Sequence, residues 1–288
     1  VIDQQGMAFP SIGFTYKRKP VTITEFRIEG EYVKHRYPSS IEFTDDVRID
    51  AYRRDFTMNA MAIKISKREV NFDEIIDPFN GIDDINKGII REVNDKVFEN
   101  DPIRMLRAVR FMAQFGFDMT DTSYELINKN SERIKEVSGQ RIGDELFKIL
   151  GFKRAHYYFN LMDKQLNILN KIFPEIEPMK EVGKCKYHVV DAWTHSLHTM
   201  RVIEKIIYAN GYFEKHLRKA YEEHTAEVYS NGHTRIQLIK LAALFHDIGK
   251  PGARWIDETG RVRFRGHEIV GEEIMANVSD RLKLSNRE

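Results

Sequence analysis

Apolar residues recur along this chain in two rhythms. From 11 to 28 they alternate with polar ones, and Ile, Val, Thr and Phe crowd around Lys17-Arg18-Lys19-Pro20. That pattern predicts two strands joined by a tight turn. Ile41 to Phe43 reads as a short extended piece. Between Asp50 and Ile65 the period lengthens, with Phe56, Ala60 and Ile63 on one side of an expected helix. Ile75-Ile76-Asp77-Pro78-Phe79-Asn80-Gly81 is a strand end running into a turn. Beyond Asp101 the strand signal almost vanishes. Pro102 suits a first helical turn with Asp101 as its N-cap, and Met105, Leu106, Val109 and Met112 follow as one apolar stripe. Further helices are expected over 121–136, 140–150, 154–169 and 191–209, with Ser138-Gly139 between the first two. Pro174, Pro178 and Gly183 suggest a boundary near 174–186, and from about Tyr187 the chain reads as all-helical with polar loops at 230–234 and 257–266.

The 288 residues suffice for one large domain or two to three small ones, and 42% hydrophobic with 31% charged residues is the balance of a soluble globular chain. No run approaches the roughly 18 apolar residues of a spanning helix, so no membrane association is expected. The first residue is Val and no signal-like segment follows it. A single cysteine, Cys185, excludes an internal disulfide and suits a reduced, cytoplasmic thiol. The net charge of +1, from 45 basic and 44 acidic residues, argues neither for nor against RNA binding. Lys17-Arg18-Lys19 reads as a solvated hairpin tip.

Two segments carry chemistry. Asp101, Arg104, Arg107 and Arg110 stand at three-residue steps, so their side chains neighbour one another along a helix ridge. A carboxylate accepting from an exocyclic amine beside a guanidinium donating to ring acceptors imitates a complementary base edge. Further arginines suit a triphosphate. The same spacing is equally that of a solvent face with ion pairs worth about 0.3–0.5 kcal/mol each. In Arg53-Arg54-Asp55-Phe56-Thr57-Met58-Asn59-Ala60, Asp55 and Thr57 read as helix caps, or Asp55 and Asn59 as groups that hold a ribose.

Five segments in order resemble the class II tRNA nucleotidyltransferases, the family of bacterial CCA-adding enzymes and poly(A) polymerases. Arg53-Arg54-Asp55-Phe56-Thr57-Met58-Asn59 is similar to its RRDFTxN motif. Asp77-Pro78-Phe79-Asn80-Gly81-Ile82-Asp83-Asp84-Ile85 resembles DPxxGxxDL, with Ile for the final Leu. Asn100-Asp101-Pro102-Ile103-Arg104, then Leu106-Arg107-Ala108-Val109-Arg110-Phe111, resemble EDxxR and LRAxRF, with Asn100 for Glu. Thr24-Glu25-Phe26-Arg27 with Tyr32, and Arg141-Ile142 with Glu145, complete the set. The resemblance spans about 6–150. It implies that Asp101 and Arg104 select CTP or ATP, that Arg54, Arg107 and Arg110 touch the nucleotide, and that Asp55 and Asn59 hold its sugar. It also implies that Glu145 lies in neck helices supporting the tRNA acceptor end. Such transfer requires Mg2+ held by carboxylates. The family's Gly-Gly loop and Asp-x-Asp pair have no counterpart here, and Thr22 stands at the third carboxylate position, with Glu25 three residues on. The expectation is therefore an N-terminal catalytic part missing from these residues, with a separate N-terminal polypeptide or a homo-oligomer as the expected partner, or else a degenerate head.

A second constellation follows. His195 in Trp193-Thr194-His195-Ser196-Leu197, His246 and Asp247 in Leu244-Phe245-His246-Asp247-Ile248-Gly249-Lys250-Pro251, and His267 in Gly266-His267-Glu268 resemble the HD phosphohydrolase superfamily. Imidazoles with a carboxylate suit a divalent metal such as Ni2+ or Mn2+ that activates water. The superfamily's last Asp ligand has no clear counterpart. Trp193 and Trp255 are expected in the core or at a domain contact, and His188, His198, His216, His224 and His233 as ordinary residues.

The expected fold is α+β: a remnant of a polymerase-beta-like nucleotidyltransferase head over 1–66, an all-helical neck and body over 67–180, and a helical, incomplete HD domain over 181–288. The expected function is addition of CMP and AMP to tRNA 3′ ends from CTP and ATP. An HD-type phosphohydrolase with an inert head, and a tRNA-binding module with neither activity, are the alternatives.

Overall fold

The structure is a computed structural model that describes residues 3–4, 11–30, 32–33, 37–66, 69–183, 189–209, 214–229 and 231–288. Cys185, Tyr187 and His188 lie outside the described residues. The chain packs as two units, Val1–Asp101 and Pro102–Glu288.

In the first unit, strands β1 (Asp3–Gln4), β2 (Ser11–Tyr16) and β3 (Lys19–Thr24) form an antiparallel sheet in that order. The expected hairpin is present. Its tip is Lys17-Arg18, with φ of 48° and 63°. Two successive left-handed residues match the right-handed twist of the paired strands. Strand β4 (Arg27–Glu29) pairs with β7 (Ile41–Phe43), and β5 (Tyr32–Val33) with β6 (Tyr37–Pro38).

The helix expected over 50–65 is not formed. Helix α1 (Val47–Tyr52) starts at Asp46, whose side chain accepts from the Arg48 N–H, and it ends at Tyr52. Phe56 is extended and bridges Glu92, Thr57–Asn59 make one 3₁₀ turn, and Ala62–Ser66 is strand β8, paired with β9 (Glu69–Ile76). The 3₁₀ turn buries Phe56 and Ala60 as a helix would. The β-branched Ile63 and Ile65 then favour the ladder. Helix α2 (Gly81–Lys87) begins where Asp77 accepts from the Gly81 and Ile82 N–H groups at 2.7 and 2.9 Å. Gly81 packs on the 3₁₀ turn so closely that a Cβ would lie 2.3 Å from the Thr57 carbonyl oxygen. Thr57 donates to Asp84 at 2.7 Å, and Arg91 grips the same carboxylate through Nε and Nη2. Strand β10 (Ile89–Ile90) and helix α3 (Val97–Asn100) follow, with Phe98 buried against Phe56.

The second unit opens on α4 (Ile103–Phe115). Its N-cap position is Pro102, without a side-chain cap, rather than Asp101, which is extended and closes α3. The stripe Met105, Leu106, Val109 and Met112 is buried as expected. Extended β11 (Asp118–Met119) leads to α5 (Asp121–Asn130), capped by Thr120. The expected helix 121–136 changes to a 3₁₀ segment at Ser131–Glu136, and the one expected over 154–169 stops at α7 (Ala155–Lys164), because Asn167 turns left-handed. Between them α6 (Gly139–Leu150) keeps its expected span, and α8 (Leu169–Ile172) and α9 (Ile176–Lys180) are single turns. Then come α10 (Ala192–Tyr208), α11 (Lys215–Thr225), α12 (Arg235–Phe245) and α13 (His267–Leu282). The all-helical expectation fails over 67–180, where β9, β10 and β11 lie, and again at the hairpin of β12 (Trp255–Ile256) with β13 (Val262–Arg263), where Trp255 is half exposed while Trp193 is fully buried.

Side chains of α12 finish α6. Gln237 Nε2 donates to the Phe147 carbonyl at 2.7 Å. Lys240, without exposed surface, donates to the carbonyls of Leu150 at 2.8 Å and Phe152 at 2.6 Å and to the Tyr208 hydroxyl at 3.0 Å. The lysine thus serves carbonyls at and just past the end of α6, where intrahelical donors run out, while the Phe147 carbonyl also accepts from the Gly151 N–H at 3.0 Å. The α+β class holds, and among the described residues no helix is long and apolar enough to cross a membrane.

Candidate functional site

In the first unit the structure brings Arg54, Asp55 and Asn59 together around a buried acid that motif reasoning passed over. Asp50, 1% exposed, accepts from Arg53 Nε and Nη2 on one oxygen at 2.8 and 2.7 Å, and from Arg54 Nε and Nη2 on the other at 3.3 and 3.0 Å. The Arg27 N–H adds a contact at 3.2 Å. Burial alone would raise this carboxyl, but the two guanidinium groups and the N–H outweigh it and hold it below the usual range. Arg54 also donates to the Asn59 carbonyl at 3.3 Å. Asp55 accepts from the Phe56 N–H and from Asn59 Nδ2 at 2.9 and 3.1 Å. The pair expected to hold a sugar is thus hydrogen-bonded to itself, and the arginine beside it is anchored from behind. The signal for Asp50 was present, an acid three and four residues before two arginines.

In the second unit Arg104, Arg107 and Arg110 lie half-buried on one ridge of α4. Arg107 and Arg110 approach the Phe111 ring at 5.5 and 3.9 Å. Arg110 also donates to Glu145 Oε2 at 2.7 Å and to Gln114 at 2.9 Å, and Lys148 holds the other Glu145 oxygen. Glu145 is therefore a buried counter-ion for α4. Asp101 closes the first unit in extended conformation.

The expected metal residues converge. Ligand atoms of His195, His246 and Asp247 lie within 4.8 Å of one another. His195 stands in the first turn of α10, whose N-cap Asp191 accepts from Thr194. His246 is the C-cap of α12, so the His-Asp pair lies where that helix ends rather than within it. His267, the first residue of α13, joins them, with Nε2 3.5 Å from Asp247 Oδ1. Gly249 lets α13 approach, since a Cβ there would sit 2.0 Å from the His267 carbonyl oxygen.

The donor set fits a divalent transition metal. His246 Nδ1 lies 2.9 Å from the Ala243 carbonyl and His267 Nδ1 2.9 Å from the Phe264 carbonyl. A carbonyl only accepts, so each Nδ1 donates and Nε2 is the atom left to face the cluster; the Asp247 carboxylate 3.3 Å from His246 Nε2 raises that imidazole's pKa, and a metal would take the place of the Nε2 proton. Burial would raise the Asp247 carboxyl, but His246 and Lys250, whose ammonium lies 2.6 Å from Oδ2, hold it well below the ordinary range. The three histidines and Asp247 would hold the ion, and the ion would supply a Lewis acid and an activated water.

Among the described residues none offers a comparable fit for the transfer Mg2+. Thr22 is exposed on β3 opposite Gly13, Glu25 lies past the strand end, and Asp50 is occupied by arginines. Among the described residues the only cluster of three metal-capable side chains is that of His195, His246 and Asp247.

Three family models match the chain. They are the poly A polymerase head domain over residues 1–91, the probable RNA and SrmB-binding site of polymerase A over 116–180, and the HD domain over 192–287. A CCA-adding enzyme of Lactobacillus helveticus is 34% identical over 165 residues, 56% of this chain and 40% of that protein. A solved tRNA-processing enzyme in an apo form superposes with a TM-score of 0.61 at 17% identity, over 97% of this chain and 61% of its own. A CCA-adding enzyme solved with ATP gives 0.60 at 21% identity, over 100% and 52%. The chain therefore matches about two fifths of the curated relative's length.

Proposed function

We propose that this chain, which belongs to the CCA-adding enzyme and poly(A) polymerase family and carries an HD domain, selects CTP and ATP for addition of CMP and AMP to tRNA 3′ ends. The supporting observation is the α4 ridge, where three half-buried arginines stand at three-residue steps. Arg104, with Asp101, reads the base edge. Arg107 meets the nucleotide, and Arg110, fixed by Glu145, sets the ridge in place. Arg54, Asp55 and Asn59 receive the ribose. The division into 1–66, 67–180 and 181–288 belongs to the same proposal. No transfer step is assigned to a metal on these residues, because their carboxylates do not fit one.

The test is incorporation of labelled CTP and ATP, with Mg2+, into tRNA lacking its CCA end by the full encoded protein. Arg104→Ala should erase CTP/ATP selectivity, about 1–3 kcal/mol of base discrimination, while tRNA binding persists. Loss of tRNA binding with selectivity intact would overturn the assignment.

The His195–His246–Asp247 cluster supports a second reading, metal-dependent phosphoester hydrolysis. Phosphate release with Ni2+ or Mn2+, in the absence of nucleotide incorporation, would favour it over transfer.

A further inference from the structure

Many long cations of the second unit are committed to acids. Arg110 and Lys148 share Glu145, Lys180 holds Asp163, and Arg281 grips Glu175. Four that are not stand together around one pocket. Lys153 and Arg154, before α7, and Arg201 and Lys205, on α10, line one shallow pocket of about 260 Å³, and among the described residues none of the four forms an ion pair. All four are exposed. Two of the four lie over aromatic rings. Arg154 lies 4.8 Å from the Tyr157 centroid, and Lys153 5.8 Å from that of Tyr208.

The pocket floor explains why this charge stays available. Glu204 is 3% exposed and is occupied from inside. Lys240 Nζ lies 3.4 Å from Oε1, the His156 N–H approaches the same oxygen at 3.4 Å, and His156 Nδ1 meets Oε2. The one buried acid is thus spent on a buried lysine, a histidine and the first turn of α7. It does not neutralise the rim.

We propose that the Lys153–Arg154–Arg201–Lys205 pocket is a binding site for the phosphodiester backbone of RNA, so that α10, which also carries His195, helps to hold the nucleic acid. The chemistry favours a polyanion over a small phosphate. A compact phosphate site draws on backbone N–H groups, and the His156 N–H in the first turn of α7 is already taken by Glu204. Here instead separate side-chain cations from the turn before α7 and from α10 face a shallow surface, which matches successive backbone phosphates. The site joins a stretch matched by the RNA-binding family model to one matched by the HD model. It rests on the reading that this protein acts on RNA.

Binding of the full chain to tRNA lacking its CCA end, measured by anisotropy across a salt series, tests the proposal. Each neutralised phosphate contributes about 0.7–0.9 to the slope of log K against log salt. Changing all four cations to Gln should therefore flatten the slope by up to about three and weaken binding at low salt at least tenfold. Arg201→Lys with Lys205→Arg should keep both. Arg218→Gln with Lys219→Gln, on α11, should also leave both unchanged, and melting curves should show all variants folded. An unchanged slope in the folded quadruple variant overturns the pocket. If Arg104→Ala still loses selectivity in that case, the proposed function stands without it. A wild-type protein that binds no RNA overturns both. Inorganic phosphate that protects the pocket lysines from acylation, with an unchanged RNA slope, would identify a small-anion site and overturn the RNA assignment.

Discussion

Asp50 stays ionised in a nearly closed environment because two guanidinium groups and a backbone N–H face it. A carboxyl whose folded pKa is depressed contributes stability that is fully present above its ordinary value of 3.8 and lost as pH falls through the lower folded one. Asp50→Asn should cost about 2–3 kcal/mol at neutral pH, seen as a lower urea midpoint, because it removes the negative charge and turns one of the two accepting oxygens into a donor facing a guanidinium. The variant and wild-type stabilities should converge below pH 3.8, and parallel curves would show that Asp50 contributes nothing electrostatic. Gly249 offers a second check. A methyl there overlaps the His267 carbonyl at 2.0 Å and the Gly271 nitrogen at 2.4 Å. Gly249→Ala should push α13 away and weaken metal binding about 10- to 100-fold by calorimetry, as loss of ligand positioning does elsewhere. Gly252→Ala, which meets only the Val270 side chain at 3.0 Å, should weaken it much less. Equal affinities would detach His267 from the site.

Among the elements, α4, α6 and α10 were legible because each presents a buried stripe at helical spacing, as Met105, Leu106, Val109 and Met112 do. The stretch from Asp50 to Ile65 was not. Phe56 and Ala60 are four apart in a helix, but a 3₁₀ turn buries them equally well, and the decision lies with Asp84, Arg91 and Glu92, about thirty residues away. The α6–α12 junction was invisible for the same reason, since Gln237 and Lys240 reach carbonyls some 90 residues back. Burial lowers the Lys240 pKa, opposed by Glu204. Lys240→Met should cost about 3 kcal/mol, because buried Glu204 loses its ammonium partner and keeps only the His156 contacts. Adding Glu204→Gln should recover part of that loss in a double-mutant cycle. Strict additivity would mean that the two side chains act separately.

At the scale of the whole molecule, short motifs made the metal cluster legible while the surroundings stayed hidden. His195 and the His246-Asp247 pair could be named from local sequence, yet the protonation of each Nδ1 is set by carbonyls of Ala243 and Phe264 that motifs do not record. Likewise Arg201 and Lys205 stand about fifty residues from Lys153, and no local pattern joins them. A folded protein with this cluster should gain about 2.7 kcal/mol of stability at a Ni2+ or Mn2+ concentration 100 times the dissociation constant. Asp247→Asn should abolish the gain, and a variant stabilised as fully as the wild type would move the ion elsewhere. The capping of α6 by α12 has a practical side as well. A version trimmed after residue 180 would leave the Phe147, Leu150 and Phe152 carbonyls without the donors that now end α6. Any loss of function in such a deletion would report an α6 that no longer holds its shape, and would say nothing about whether the His195–His246–Asp247 cluster takes part.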